Sequence, residues 1–269
     1  HMAIRPICRP CKVRVPSVSR PCGLRAISPR QVLSCISLFK NNSSVTHHLI
    51  TSIMKSTRTE FVIVRHGQTH GNVTRTLQGQ GNTDLDETGL QQVRLLARRL
   101  KSHPAFDAII SSDLKRTLDT AQIIVDTIGG SIIPNPALRE WNLGILEGRK
   151  WEDLQLEYPE IIKSFSNCHT DAEIPGGERR SEMYKRVADC LDTLAAEYVG
   201  KRLLLVTHGG ALRAILRHIV GQPAGNNLMP LTSNASYNSC TCTNGSWQLT
   251  CWNDTAHLNP NMLNELVTF

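Results

Sequence analysis

The sequence predicts an α/β fold of three layers, with helices on both faces of a mostly parallel central sheet, and three observations carry that prediction. Continuous apolar runs at Phe61–Val64, Ala108-Ile109-Ile110 and Arg202–Thr207 have the character of strands buried on both faces. A stretch of helical period follows each of them. Late in the chain two alternating segments, Ala235–Thr243 and Ser246–Trp252, are joined by Asn244-Gly245, which marks a hairpin at a sheet edge. At 269 residues and 40% hydrophobic, the chain has enough apolar surface to bury a substantial core.

Taken in order, Phe61–Val64 ends abruptly in Arg65-His66-Gly67, and a polar, glycine-punctuated loop runs from Gln68 to Glu87. Thr88-x-x-Gln91 has the form of a capping box, and Leu90, Val93, Leu96, Ala97 and Leu100 follow at helical spacing. The second strand breaks at Ser111-Ser112-Asp113 into a helix with Leu114, Leu118, Ala121, Ile124, Val125 and Ile128 on one face, stopped by Gly129-Gly130. Arg116 falls in its first turn, where the helix dipole favours an anion. A short strand at Ile132-Ile133 leads into the loop Leu138–Gly148, and a short helix is expected from Trp151 to Tyr158, ended by Pro159. Ser164–Gly177 reads as loop. A long helix from about Ser181 carries Met183, Val187, Leu191, Leu194 and Tyr198, and a last helix spans Ala211–Val220, closed by Gly221.

Charge divides the chain. Residues 1–58 hold ten Lys or Arg and no acid, leaving 20 basic against 23 acidic residues for the rest, a net of −3. The basic excess therefore belongs to an Arg-, Ser- and Pro-rich leader with the composition of a transit peptide to the chloroplast or another organelle; a cytoplasmic protein with a polybasic leader is the alternative. Domain organisation is read as leader 1–58, one catalytic domain 59–258 and a tail 259–269. With the body at a net of −3, and no run approaching the roughly 20 apolar residues of a membrane span, neither nucleic acid nor membrane is expected as its partner. Cys8, Cys11, Cys22 and Cys35 lie in the leader, while Cys168, Cys190, Cys240, Cys242 and Cys251 lack metal-site spacing.

Two strands thus each end in a histidine followed by glycine, at His66 and His208. Arg65-His66-Gly67-x-Thr69-x-x-Asn72, Ser111-Ser112-Asp113-Leu114-x-Arg116-x-x-x-Thr120-Ala121, Leu138-Arg139-Glu140 with Gly144 and Glu147-Gly148, and Thr207-His208-Gly209-Gly210 occur in register. Together they resemble the histidine phosphatase (phosphoglycerate mutase-like) superfamily over residues 60–258. The resemblance implies a phosphoglycerate mutase-like fold and a phosphohistidine intermediate. His66 would be the nucleophile, neutral at the attacking nitrogen and donating from the other to a backbone carbonyl. Arg65, Arg116 and His208 would surround the phosphoryl oxygens, and Glu140 would act as general acid and then base. Asn72, Thr69, Gln78, Gly79 and Gly209 complete the implied substrate contacts, and no metal or cofactor is implied. Singly, His66 or His208 reads as a satisfied core histidine, and Arg116 as a solvated residue paired with Asp113 or Asp119.

Mutases of this superfamily carry a longer, basic insertion after the acidic loop. Here about thirty residues separate Gly148 from the next long helix, and Lys163 is the sole basic residue between Trp151 and Ile174. The chain therefore resembles the phosphatase branch; a phosphoglycerate mutase and a non-catalytic phosphate-binding scaffold are the alternatives. A slender basic inventory points to a small phosphorylated metabolite such as phosphoserine, a sugar phosphate or a sugar-acid phosphate, with homodimerisation left open. Pro175-Gly176-Gly177-Glu178 matches a family loop near the pocket, but Arg179 replaces the usual serine, and Arg179-Arg180 offer charge for a second acidic group.

Overall fold

A computed structural model describes residues 57–166, 171–222 and 229–263, all within the compact unit Thr51–Phe269. The leader expected from composition, Cys168, and residues 264–269 of the expected tail lie outside the described residues, apart from Thr57 and Arg58 at the leader's end.

Strands β1 (Arg58–Arg65), β2 (Ala108–Ser111), β3 (Ile132–Pro134), β4 (Arg202–Thr207), β5 (Tyr237–Thr243) and β6 (Ser246–Asp254) form one sheet in the order β3-β2-β4-β1-β5-β6. The pairs β1–β4, β2–β4 and β2–β3 are parallel, and only β5 runs against the others, antiparallel to β1 and to β6. The predicted three-layer α/β sandwich with a C-terminal hairpin at a sheet edge is thus the observed fold. Both hairpin-turn residues, Asn244 and Gly245, have positive φ, 52° and 78°, the conformation that matches the twist of the two strands.

Alternation along β1 builds the two cores. Phe61 and Ile63 face one side, packed with Met183, Val187, Leu191 and Leu194 of α6 (Arg180–Glu197) and Leu212 and Ile215 of α7 (Gly209–Ile219). Val62 and Val64 face the other, against Val93, Leu96 and Leu100 of α2 (Glu87–Lys101) and Ala121 and Ile124 of α3 (Lys115–Ile128). A third, smaller cluster gathers Leu77, Leu143, Leu146, Leu154, Ile162, Phe165 and Ile174 beneath α4 (Trp151–Glu157) and α5 (Pro159–Ser166).

Three local expectations need correction. The helix after the first loop starts at Glu87 with Asp86 as its cap, whose side chain accepts from Gly89 N, so Thr88 and Gln91 lie inside the helix. The capping box stands earlier, where Thr69 caps the short helix α1 (His70–Val73) and Asn72 returns the bond. The short helix does end before Pro159, as expected, but Pro159 then opens α5, as a proline can at a first helical position, and Ser164–Ser166, expected as loop, belong to that helix.

Candidate active site

The site assembles at the carboxyl ends of the parallel strands, where open α/β sheets place their ligands. Because Arg65 pairs with Thr207 in the β1–β4 register, the next residues, His66 and His208, lie side by side, with ring centroids 5.3 Å apart. His66 N donates to Thr207 O at 3.0 Å. The loop after His66 passes tight against the first turn of α2: a Cβ on Gly67 would meet Gly89 O at 2.6 Å, and one on Gly89 would meet Gln68 O at 2.1 Å. Only glycine allows that approach.

His66 is 2% exposed, and its Nδ1 lies 2.7 Å from Gly67 O. A carbonyl only accepts, so Nδ1 carries the proton and Nε2 keeps its lone pair. Burial first, then the charges of Arg116 and Arg65, hold the imidazole's pKa well below its ordinary value, so the ring is neutral. His208 is fully buried with Nε2 2.8 Å from Ser112 Oγ, while its Nδ1 has no hydrogen-bond partner among the described residues. Burial, then Arg116, His66 and Arg65, keep it neutral as well, so it offers a hydrogen bond and not a charge.

Arg116, expected in the first turn of its helix, is there and 1% exposed. Its Nη1 donates to Gly81 O at 2.9 Å and its Nη2 to Gly79 O at 2.7 Å, while Nε is buried without a partner among the described residues. Neither Asp113 nor Asp119 pairs with it: Asp113 binds Arg139 and Asp119 binds Lys115. Arg65 donates from Nη1 to Thr232 O at 2.5 Å. Burial lowers both guanidinium pKa values to about 10, opposed by the nearby Glu140 carboxylate.

A cavity of about 350 Å³, the scale of a metabolite site, is lined by Arg65, His66, Asn72, Gln78, Gly79, Arg116, Glu140 and Gly209 among others. Glu140 accepts from Trp141 N through Oε1 at 2.9 Å and from Gly210 N through Oε2 at 3.0 Å. Glu147 instead ties loops together by accepting from Gln80 N and Leu143 N, and it does not line the cavity. Of the expected contacts, Thr69 stands behind the wall. Its hydroxyl lies 2.9 Å from both Asn72 Oδ1 and Gln78 Oε1, so it orients those amides. His208 packs beside the cavity-lining His66, ring centroids 5.3 Å apart, with Nδ1 unpartnered among the described residues, and His70 is exposed.

The expected slender basic inventory is overturned. Arg75, Arg180 and Arg213 join Arg65 and Arg116 around the cavity, facing Glu140 as its one lining carboxylate among the described residues. Helix phasing holds a signal for two of them: Arg213 follows Gly209 by four residues on α7, and Arg180 precedes the pocket-lining Met183 and Tyr184 by three and four on α6. The Arg179-Arg180 pair is split. Arg179 reaches Glu173 on the surface, whereas Arg180 is 8% exposed, donates to Ser164 O at 2.8 Å and lies over the Trp141 ring. The loop 232–236, which the sequence reading takes in part as strand, also meets the site: Asn234 Nδ2 lies 3.1 Å from His66 O, and Ala235 N donates to His66 O at 3.1 Å.

Paired neutral histidines, buried arginines and a cavity carboxylate at the ends of parallel strands define a phosphoryl-transfer site in an α/β protein. The chain matches the histidine phosphatase superfamily (branch 1) over residues 61–255 and belongs to that family; it is a phosphomonoester hydrolase of the histidine phosphatase type. It is 38% identical over 208 residues to an Arabidopsis thaliana protein named metal-independent phosphoserine phosphatase, covering 77% of this chain and 86% of that protein. It is 37% identical over 209 residues to a Yersinia pestis protein named "Probable phosphoglycerate mutase GpmB", covering 76% and 97%. Among solved structures, a histidine-to-alanine mutant of Entamoeba histolytica phosphoserine phosphatase in complex with phosphoserine superposes with a TM-score of 0.68 at 25% identity, covering 75% of this chain and 100% of that one.

Proposed function

We propose that the protein is a metal-independent phosphatase that hydrolyses a small, carboxylate-bearing phosphomonoester through a phosphohistidine on His66. The observation that carries this reading is the imidazole itself: Nδ1 is committed to Gly67 O, the ring is neutral, and Nε2 is left as the nucleophile beside two buried arginines. In the first half-reaction Nε2 attacks phosphorus in line. The N–P bond forms as the ester P–O bond breaks, and Glu140 gives its proton to the leaving oxygen. In the second, water attacks phosphorus, its proton passes to Glu140, and the N–P bond breaks to release inorganic phosphate and restore neutral His66.

Arg65, Arg116 and the Asn72 amide stabilise the phosphoryl oxygens, supplying fixed positive charge where negative charge develops. Ser112 Oγ–H donating to His208 Nε2 leaves Nδ1–H for the same oxygens. Arg75, Arg180 and Arg213 support a leaving group with a negative charge of its own, as phosphoserine has; phosphoserine is the molecule in the names of the Arabidopsis and Entamoeba proteins. The name of the Yersinia relative favours a second reading, phosphoglycerate mutase.

One set of assays decides. In the presence of a chelator the wild type should release phosphate from phosphoserine or another carboxylated phosphomonoester and should carry trappable phosphohistidine at His66. His66→Ala should lose the label and at least about 10³-fold in kcat. Full activity in His66→Ala, or inhibition by the chelator, overturns the reading. Phosphoglycerate interconversion that needs a bisphosphate primer, without net phosphate release, establishes the mutase instead.

A further inference from the structure

Asn234 touches neither the cavity nor any reacting atom, yet its amide meets three groups that prepare the reaction. Nδ2 lies 3.1 Å from His66 O, 3.3 Å from Gly67 O and 3.2 Å from Asn72 Oδ1. All three neighbours are acceptors, so the NH2 end of the amide must point at them. Gly67 O is also the carbonyl that receives the His66 Nδ1 proton, at 2.7 Å. A fixed Gly67 carbonyl fixes which ring nitrogen is protonated and hence which one attacks. Asn72 Oδ1 takes a second bond from Thr69 N at 3.1 Å, which turns the Asn72 NH2 toward the cavity that Asn72 lines.

The loop bearing Asn234 is built to hold this geometry. Ala235 is fully buried at φ 52°, a left-handed conformation that costs a residue with a Cβ about 1 kcal/mol or more. It is kept there by its own N–H on His66 O and by His257 Nε2 on its carbonyl, 3.0 Å away. Ser233 N is anchored on Asn253 Oδ1 at 2.6 Å, and Thr232 O receives Arg65 Nη1. One loop, 232–236, thus touches Arg65, His66, Gly67 and Asn72. We infer that Asn234 is a positioning residue for phosphoryl transfer: it locks the attacking tautomer of His66 and presents the Asn72 amide to the phosphoryl group.

The inference rests on His66 being the nucleophile, and the experiment separates the two. Asn234→Asp keeps the size and removes both N–H donors; Asn234→Ala removes them without adding charge. For each variant, kcat and KM per folded molecule are measured beside the ¹⁵N signals of the His66 ring. The expected result is a fall in kcat of about 10- to 100-fold, a KM within about threefold of the wild type, and a change from a single Nδ1–H tautomer to a mixture. A folded variant with kcat within about twofold of wild type and an unchanged tautomer overturns the inference while His66 labelling of the wild type upholds the parent reading. Absence of that labelling overturns both. A mixed tautomer in the wild type overturns the inference without any variant.

Discussion

A methyl group added at Gly210 would lie 2.2 Å from Glu140 Oε1, on the residue whose N–H holds the other carboxylate oxygen. Gly210 sits in the first turn of α7, where alanine is the better helix former by about 0.5–1 kcal/mol. Gly210→Ala should therefore leave the thermal midpoint unchanged or slightly raised while displacing Glu140. If Glu140 carries the proton, kcat at saturating substrate should fall about 10²-fold. Calorimetry beside steady-state kinetics tests this, and an unimpaired kcat removes Glu140 from the mechanism. At this scale the sequence was informative wherever chemistry demands a residue type at a fixed place in a motif, as with His66, Arg116 and Glu140. It was silent on Asn234, because an asparagine in a polar loop has no pattern of its own and acquires one only from the carbonyls that the fold brings to it.

Among the elements, α2 joins the core to the nucleophile loop. Asp86 Oδ1 accepts from Gly89 N at 2.8 Å, and Oδ2 accepts from Gln68 Nε2 at 2.9 Å. Asp86→Ala should lose about 1 kcal/mol of stability from the cap, seen as a lower urea midpoint at unchanged slope. A change below about 0.3 kcal/mol would show that water replaces the cap. Apolar period placed this helix correctly, but its start was misread because Thr88 and Gln91 fit a capping spacing that Asp86 and Gly89 also satisfy two residues earlier. Local spacing cannot choose between two such caps; the contact of Asp86 with Gln68 does. The loop expected from Ser164 was misplaced for a related reason, since the same proline ring that ends one helix is well suited to begin the next.

For the molecule as a whole, His66 and His208 are buried, His257 is half-buried, and all three are neutral. His66 and His208 lie well below their ordinary pKa, and His257 is pushed down to about 4, by burial first and then by the charge of Arg99 or Arg116. In the unfolded chain each titrates near about 6.5. Between the folded and unfolded values the unfolded state binds more protons, so stability is full above about pH 6.5 and falls as the pH drops through that window. Asp254, lowered to about 2 by its bond to Arg99, adds loss of the same sign at still lower pH. The thermal midpoint should hold steady above pH 6.5 and decline toward pH 4. A midpoint that stays constant from pH 7 to 4.5 would contradict the lowered pKa values of these rings.

The sequence by itself determined the strands, the order of strand and helix, the hairpin and the ends of β1 and β4 where the two histidines stand. These follow from short-range rules, in which apolar runs must be buried and backbone groups must find partners. Only the tertiary structure decided the adjacency of His66 and His208 through the β1–β4 register, and the burial that makes both rings neutral. It also brought Arg180 and Arg213 to the cavity and laid Asn234 against the nucleophile's carbonyls. Each of these depends on residues far apart in the chain meeting in a dry interior, and both the contact and the low dielectric that gives it strength exist only once the layers have packed.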